Sequence, residues 1–565
     1  MASIAEAPER DVLSDGLSRR SVWIAAGIVF LIAFGFRLTG IGWGLPSENR
    51  HQSLHPDEVL IKEVADRTPY LRPGFYNYGT LYLTALKVGT DMGRSYGWVK
   101  EGTSVPRWQT DQDIHRTGRI ISAAAGAATV AIVFATLLML TGLLGSSVGA
   151  LSLLVASGHV VHSRFQTSDV MATLFVAAAI HFTVRLLRPQ GAPFRQTMAA
   201  AVAIGLAAGT KYSGALMIIP LLLAIWWTDP KSFFRTAAIA VVSFVFVFVL
   251  ATPGIILESS RFWIGFTYEL AHSAAGHGIV FANTASAFAY QISNILEAFG
   301  IVPAVLGTVG IAYMAIKRHR WALILALFML IYYFTIGRAE VKFLRYVLPL
   351  LPILAIGVGV LVGKLHRRGG YYRVATGAAV FLVGASLAGS RGAIAMTGFM
   401  ARQDPRDQAA AWLDKQNGTI GFVSDPWFYS PPLFPDTGLL SPKARLEAME
   451  QNPRLVRYVS PDGPKLDWDP RLITGVQPDT IVISSFEFVD SDRTNQPSLL
   501  EFMPLLSESY QLAAIVWGGE VATPPTGQPG APVTRESLRE IIGSRYPTTH
   551  DMMYIQPTIC ILRKK

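Results

Sequence analysis

Four short stretches of this 565-residue chain bring together residue types that do chemistry. The first is Leu54-His55-Pro56-Asp57-Glu58, two adjacent carboxylates beside an imidazole. A carboxylate so placed can take a proton from an acceptor hydroxyl. Pro56 equally suits the first turn of a helix, where Asp57 and Glu58 would complement the positive helix end. On the pentapeptide alone, capping and chemistry both stand. The second is Asp169, in His162-Ser163-Arg164-Phe165-Gln166-Thr167-Ser168-Asp169. It opens an apolar stretch, as a simple cap or as an acid at membrane depth. The third is Lys211-Tyr212, in Gly209-Thr210-Lys211-Tyr212-Ser213-Gly214. A Lys between two short apolar segments either snorkels or binds an anion. The fourth is Arg338-Ala339-Glu340-Val341-Lys342-Phe343-Leu344-Arg345-Tyr346. Its three cations either anchor the chain at an interface or hold a phosphate head group.

Other chemistries find less support. His51, His55, His159, His162, His272 and His277 are scattered. His51 and His55 lie one helical turn apart and, with Asp57, form a candidate metal set, although such spacing is common by chance. The only cysteine, Cys560, excludes an intrachain disulfide and Cys-based metal sites. The chain has no Gly-rich phosphate loop, no G-x-S-x-G and no H-E-x-x-H.

The elements that must position these residues follow from composition. The chain is 51% hydrophobic and 16% charged, with mean hydropathy +0.36. Soluble domains carry about 25% charged residues. Collagen, coiled-coil and disordered classes are excluded by the same values, leaving a mainly α, polytopic membrane protein. Apolar runs fall near 22–43, 119–141, 146–161, 169–187, 197–210, 214–228, 236–252, 298–316, 321–336, 346–363 and 373–390. That predicts eleven spans, of which 146–161 and the 197–228 pair are short for a bilayer.

Charge sets the orientation. Formal net charge is +10. From Arg402 onward 16 basic and 20 acidic side chains give −4, so the first 401 residues carry +14. An N-terminus inside places Arg10/Arg19/Arg20, Arg185/Arg188/Arg195, Lys231/Arg235, Lys317/Arg318/Arg320 and Lys364/Arg367/Arg368/Arg373 on the cytoplasmic side. The 141–146 turn alone lacks a basic residue. Arg19-Arg20 precedes an apolar run without a cleavage site and reads as the start of an uncleaved first helix rather than a twin-arginine signal. No Lys/Arg run suits nucleic acid, and the basic half reads as loops against anionic lipid.

This divides the chain into a cytoplasmic tail 1–21, a transmembrane unit 22–399 and a small α/β unit 400–565 outside the membrane. Two outside loops are long, 44–118 and 253–297; the first holds amphipathic stretches near 57–67 and 78–97. In the last unit a helical pattern follows Asp404-Pro405, and Ile420–Val423, Thr480–Ser484 and Ile555–Leu562 read as strands. All four chemical stretches then share the outer face. Carboxylates gathered with cations suit an anionic lipid-linked substrate whose leaving group is a phosphate.

These residues resemble those of polyprenyl-phosphate-dependent glycosyltransferases with the GT-C fold. His55-Pro56-Asp57-Glu58 is similar to the acidic motif of their first outside loop. Asn77-Tyr78-Gly79-Thr80-Leu81-Tyr82, His162 through Asp169, Gly205 through Tyr212, and Arg345-Tyr346 with Pro349 and Pro352 are similar too. The protein O-mannosyltransferases and the bacterial lipid A aminoarabinose transferases are the families most resembled, over roughly 22–390. The resemblance implies inverting transfer of a sugar from a polyprenyl phosphate to a hydroxyl of a lipid, glycan or protein, on the outer face of the cytoplasmic membrane. It implies Asp57, Glu58 and Asp169 as catalytic acids, without deciding between Asp57 and Glu58 as base. It implies His55, Tyr76, Asn77, Arg164, Lys211, Tyr212, Arg345 and Tyr346 as substrate-binding residues, and the clustered cations add Arg338 and Lys342. No cofactor is required on this reading, a divalent metal is left open, and the tail receives no role. The competing class is a transporter or lipid flippase; against it, the two halves show no repeat and the acids gather at one face.

Overall fold

The computed structural model describes residues 18–188, 192–389, 391–459, 466–523, 532–545 and 549–565. Arg10 and most of the proposed cytoplasmic tail lie outside them, as does residue 390 at the end of the last run.

Each of the eleven apolar runs is helical. In chain order the helices are α1 (Arg19–Leu38), α2 (Pro56–Arg67), α3 (Leu81–Tyr96), α4 (Arg107–Leu140), α5 (Leu143–Leu154), α6 (Ser157–His162), α7 (Asp169–Leu186) and α8 (Pro193–Thr210). There follow α9 (Ile218–Thr228), α10 (Phe233–Ala251), α11 (Gly254–Leu257), α12 (Ser259–Ala275), α13 (Ala287–Phe299), α14 (Ile301–Ile316), α15 (Arg320–Ile336), α16 (Leu351–Arg368) and α17 (Tyr372–Ala388). Five are long and apolar enough to cross a membrane, or six with the bent pair α13–α14 counted as one.

The differences from the predicted spans lie at breaks. The third run divides into α5 and α6. The break read between 197–210 and 214–228 is present: α8 stops at extended Lys211 (φ −149°) and the chain restarts as a 3₁₀ turn, Tyr212–Met217. The run near 298–316 begins earlier, as α13, and turns by 109° at Gly300. Gly300 has φ +88°, a conformation that glycine adopts without steric cost. The first long loop, 44–118, carries α2 and α3 close to the amphipathic stretches read from sequence. The second carries α12, which the sequence reading left as loop.

A second glycine positions the loop that follows α2. A Cβ on Gly79 would lie 2.1 Å from the carbonyl oxygen of Gly209. Only a bare backbone lets the 77–79 segment pass so close to the end of α8, which Lys211 caps.

The tail is an α/β unit with one six-stranded sheet: β1 (Ile420–Phe422), β2 (Leu455–Val456), β3 (Thr480–Ser484), β4 (Tyr510–Trp517), β5 (Glu520–Ala522) and β6 (Ile559–Lys564). Their order is β2-β1-β3-β6-β4-β5. β1 runs parallel to β2 and β3, and β6 lies antiparallel between β3 and β4. The last strand thus closes the sheet, through the fully buried run Ile559 to Leu562.

The tail is not a tethered module. Phe428, Phe486 and Met552 to Ile555 belong to the same hydrophobic cluster as the membrane helices. Polar pins reinforce this contact. The Trp43 indole N–H donates to Asp404 at 3.0 Å, Arg50 pairs with Asp407 at 3.3 Å, and Arg493 donates to the carbonyls of Val280 and Ala282.

Candidate active site

Between the helical unit and the tail lies a cavity of about 360 Å³. Asp57, Asn77, Asp169, Lys211, Arg345 and Tyr346, all read from sequence, line it. They come from five separate parts of the chain.

Asp57 stands in the first turn of α2, after Pro56 at the helix start. Its carboxylate faces Arg345 across the cavity, 3.0 Å from a guanidinium nitrogen. Burial, the largest influence, would raise the Asp57 carboxyl; Arg345, His55 and His277 together outweigh it and hold the group below its ordinary value. Arg345 follows Phe343 and lies over its ring at 4.1 Å, at the start of the 3₁₀ turn Leu344–Leu350. Asp169 opens α7, and the Lys211 ammonium donates to it. Lys211 also lies 4.6 Å over the Tyr346 ring. Two carboxylate–cation pairs therefore border one space.

Glu58 has another place. It is fully buried and does not line the cavity. Arg119 of α4 donates to both its oxygens, at 2.9 and 2.7 Å, the Gln166 N–H donates at 2.6 Å, and the Ser53 hydroxyl also bonds it. Burial would raise this carboxyl, but Arg119 brings it down to about 2. Arg119 in turn donates to the Ile41 carbonyl. The pair ties the first outside loop to α4 and to the turn before α7.

The remaining sequence-derived binding residues also serve structure. His55 is buried with its ring between Phe165 and Tyr554. Tyr76 donates to Glu258 at 2.6 Å, and Tyr212 donates to the Tyr76 carbonyl at 2.8 Å. Arg164 pins the end of α1, through the Phe36 carbonyl, to Thr397. Lys342 is buried on Thr284 and the Ala285 carbonyl. Arg338 is exposed over Phe334. The candidate metal set does not converge, because His51 turns to Asp436 at 3.0 Å. Among the described residues no group of three or more His, Cys, Asp or Glu side chains is placed to hold a metal ion.

Sequence reasoning missed two walls. One is the tail, which contributes Trp427, Phe428, Tyr429, Phe486, His550 and Tyr554. Beside them Asp551 accepts the Arg345 backbone N–H at 2.9 Å and lies 3.6 Å from His162. Burial lifts the Asp551 carboxyl to about 6. The other wall is α12, with Tyr268, Glu269 and His272. Burial raises the Glu269 carboxyl, and no ion pair to it is formed among the described residues. Spacing of i and i+3 between Glu269 and His272 was the available signal.

Residues 113–256 match the family model described as dolichyl-phosphate-mannose-protein mannosyltransferase. That segment contains Asp169 and Lys211, and ends before Arg345. Among solved structures the fold is similar to ArnT from Cupriavidus metallidurans bound to undecaprenyl phosphate, with TM-score 0.50, 17% identity, and coverage of 84% of this chain and 95% of that one. The S. cerevisiae protein O-mannosyltransferase Pmt1–Pmt2 complex bound to the sugar donor is matched over 45% of this chain and 35% of that one, at 18% identity and TM-score 0.33. The Archaeoglobus fulgidus oligosaccharyltransferase is matched over 91% and 74%, at 11% identity and TM-score 0.46. Curated proteins give no match. The resemblance read from the motifs is met by the family model over residues 113–256 and, for the fold, by the likeness to ArnT.

Proposed function

We propose that this chain is a membrane glycosyltransferase that moves a sugar, with inversion, from a polyprenyl phosphate to a hydroxyl acceptor. One observation carries the assignment of roles: the pairs Asp57–Arg345 and Asp169–Lys211 border the same cavity. In the step, the acceptor oxygen bonds to the anomeric carbon as the bond from that carbon to the phosphate oxygen breaks. Asp57 takes the acceptor proton. Arg345 and Lys211 stabilise the charge left on the departing polyprenyl phosphate. Asp169 orients Lys211. Glu58 holds the loop in place and stands apart from the reaction. The step requires no cofactor, so treatment with a chelator should leave transfer intact.

A transporter is not favoured, since its ionisable groups belong near the bilayer midplane in repeated halves. Here the carboxylates gather at one end of the bundle, under a folded domain.

Within a multi-pass membrane protein, we place the N-terminus in the cytoplasm and the tail outside. The basic clusters between spans support this. Protease added to right-side-out vesicles should digest the tail; its protection would reverse the orientation or change the span count. The function is tested by incubating purified protein with labelled undecaprenyl-phosphate sugars and a lipid or protein extract. Labelled acceptor is the expected result, and recovery of unchanged donor with every sugar and extract would overturn the reading.

A further inference from the structure

The cavity poses a charge problem for the donor. Its walls carry Asp57, Asp169, Glu269 and Asp490 against only Lys211 and Arg345. Both cations already face a carboxylate, and no other Lys or Arg lines the space among the described residues. A phosphate entering here meets an excess of like charge, which repels strongly in a partly enclosed volume. It needs cations that are occupied.

The two pairs differ in how firmly they are closed. The Lys211 ammonium donates directly to Asp169. The Arg345 guanidinium lies 3.0 Å from Asp57, yet the nitrogen concerned is buried without a well-aligned hydrogen bond. Phe343 beneath the guanidinium and the backbone bond to Asp551 fix where Arg345 sits. A planar fork held in this way, with donors still unsatisfied, suits a second anion. The contrast with Arg119 is direct, since that guanidinium gives Nε and Nη2 to Glu58 and Nη1 to the Ile41 and Trp43 carbonyls.

We infer that the donor phosphate and the carboxylates compete for the same two cations, so that donor binding itself draws Arg345 from Asp57 and releases Asp57 as the base. This rests on the reading of the site as a polyprenyl-phosphate site. Before the donor arrives, Asp57 is neutralised by Arg345 and is a poor acceptor of protons. Once Arg345 turns to the phosphate, the carboxylate loses its counter-charge beside the acceptor. The base is therefore available only when a polyprenyl phosphate occupies the cavity. The alternative is that both cations bridge carboxylate and phosphate together, with Asp57 never released.

The two arrangements predict opposite effects of removing the carboxylate. The test measures binding of undecaprenyl phosphate to the full-length protein in nanodiscs, for wild type, Asp57→Asn, Asp169→Asn and Glu269→Gln. Under exchange, Asp57→Asn frees Arg345 and tightens binding about tenfold or more, although it removes the base. Asp169→Asn acts in the same direction through Lys211. Glu269→Gln removes a charge that occupies neither cation, and should gain less than about threefold. Thermal unfolding of each variant verifies its fold, and Asp169→Asn carries the test if Asp57→Asn does not fold. Unchanged or weaker binding by both Asp variants overturns the exchange, as does an equal gain from Glu269→Gln. If wild type and all variants fail to bind undecaprenyl phosphate, the reading of the site falls, and the exchange with it.

Discussion

Asp57 and Glu58 are neighbours in sequence but occupy two different regions of the molecule. Asp57 stands on the wall of the cavity, half-exposed, with one cation opposite it. Glu58 lies in a sealed layer beneath, where Arg119, Ser53 and the Gln166 N–H satisfy both its oxygens. Residue type, helix position and sequence context are almost the same. What separates the carboxylate proposed to react from the structural one is saturation. A carboxylate with every lone pair engaged has nothing to offer a substrate, and removing it leaves a buried cation unpaired. A carboxylate with one imperfect partner can exchange it.

That difference is open to direct attack. Asp57→Asn keeps the shape of the side chain and removes its proton-accepting power. The expected result is a loss of transfer of about 10²- to 10⁴-fold, the usual contribution of a general base, with the melting temperature close to wild type. Labelled-sugar transfer and thermal unfolding on the same preparation decide it. Activity within a few-fold of wild type would leave Asp57 with only its place in the first turn of α2.

Glu58→Ala should show the reverse pattern. It strands the buried Arg119 guanidinium, and breaking a buried pair in this way costs about 3–5 kcal/mol. The expected outcome is a low yield of folded protein and a lowered melting temperature. Whatever fraction folds should keep its affinity for the donor. A well-folded Glu58→Ala protein that is inactive would move Glu58 onto the reaction path and erase the distinction between the two regions.

The sequence carried the cavity-lining residues because they break local trends. Lys211 interrupts an apolar stretch, Asp169 opens one, and Arg345 follows a hairpin on the side where the proposed orientation disfavours cations. Each is expensive in place, and each points to a partner. The orientation of Asp57 against Glu58 was not legible. Successive helix residues diverge by about 100°, so one of the two had to turn inward, but which one depends on Arg119, far along the chain in α4. The tail was legible as an α/β unit through its short apolar strands. Its role as a wall was not, because Trp427, Phe428, Phe486 and Tyr554 look like ordinary core residues until they meet the membrane helices. The helical break at Gly300 escaped for a related reason. Apolarity continues across it, and only the packing of neighbouring helices shows where the chain turns.

Lys211→Ala sharpens the comparison from the cation side. The ammonium bonds Asp169 and lies over Tyr346 at the rim of the same cavity. Charge-assisted bonds are worth roughly 1.5–3 kcal/mol, so donor affinity should fall about ten- to a hundredfold. The unpaired Asp169 would add repulsion in the same direction. Titration with undecaprenyl phosphate separates this from a slowed proton transfer. A variant with wild-type affinity and reduced turnover would shift Lys211 from phosphate binding to orientation of Asp169.

The smallest effect is expected at Arg338, and it fixes the outer limit of the site. Arg338 shares its stretch of sequence with Arg345, and the sequence reading placed both on the substrate. Their surroundings differ. Arg345 is enclosed by Asp57, Phe343 and the Asp551 contact. Arg338 is exposed, with its guanidinium 5.4 Å over the Phe334 ring and no place among the cavity-lining residues. Exposed cation–π contacts are worth about 0.5–1 kcal/mol, and substitutions at such surface positions usually change stability by less than about 0.5 kcal/mol. Arg338→Ala should therefore leave melting temperature and donor affinity within about twofold of wild type. Measured beside Arg345→Ala, which should weaken undecaprenyl phosphate binding about tenfold or more, it asks whether enclosure or mere proximity in sequence makes a phosphate ligand. A comparable loss from both would extend the phosphate site to the rim, and the cavity wall would no longer mark the boundary between residues that bind and residues that anchor.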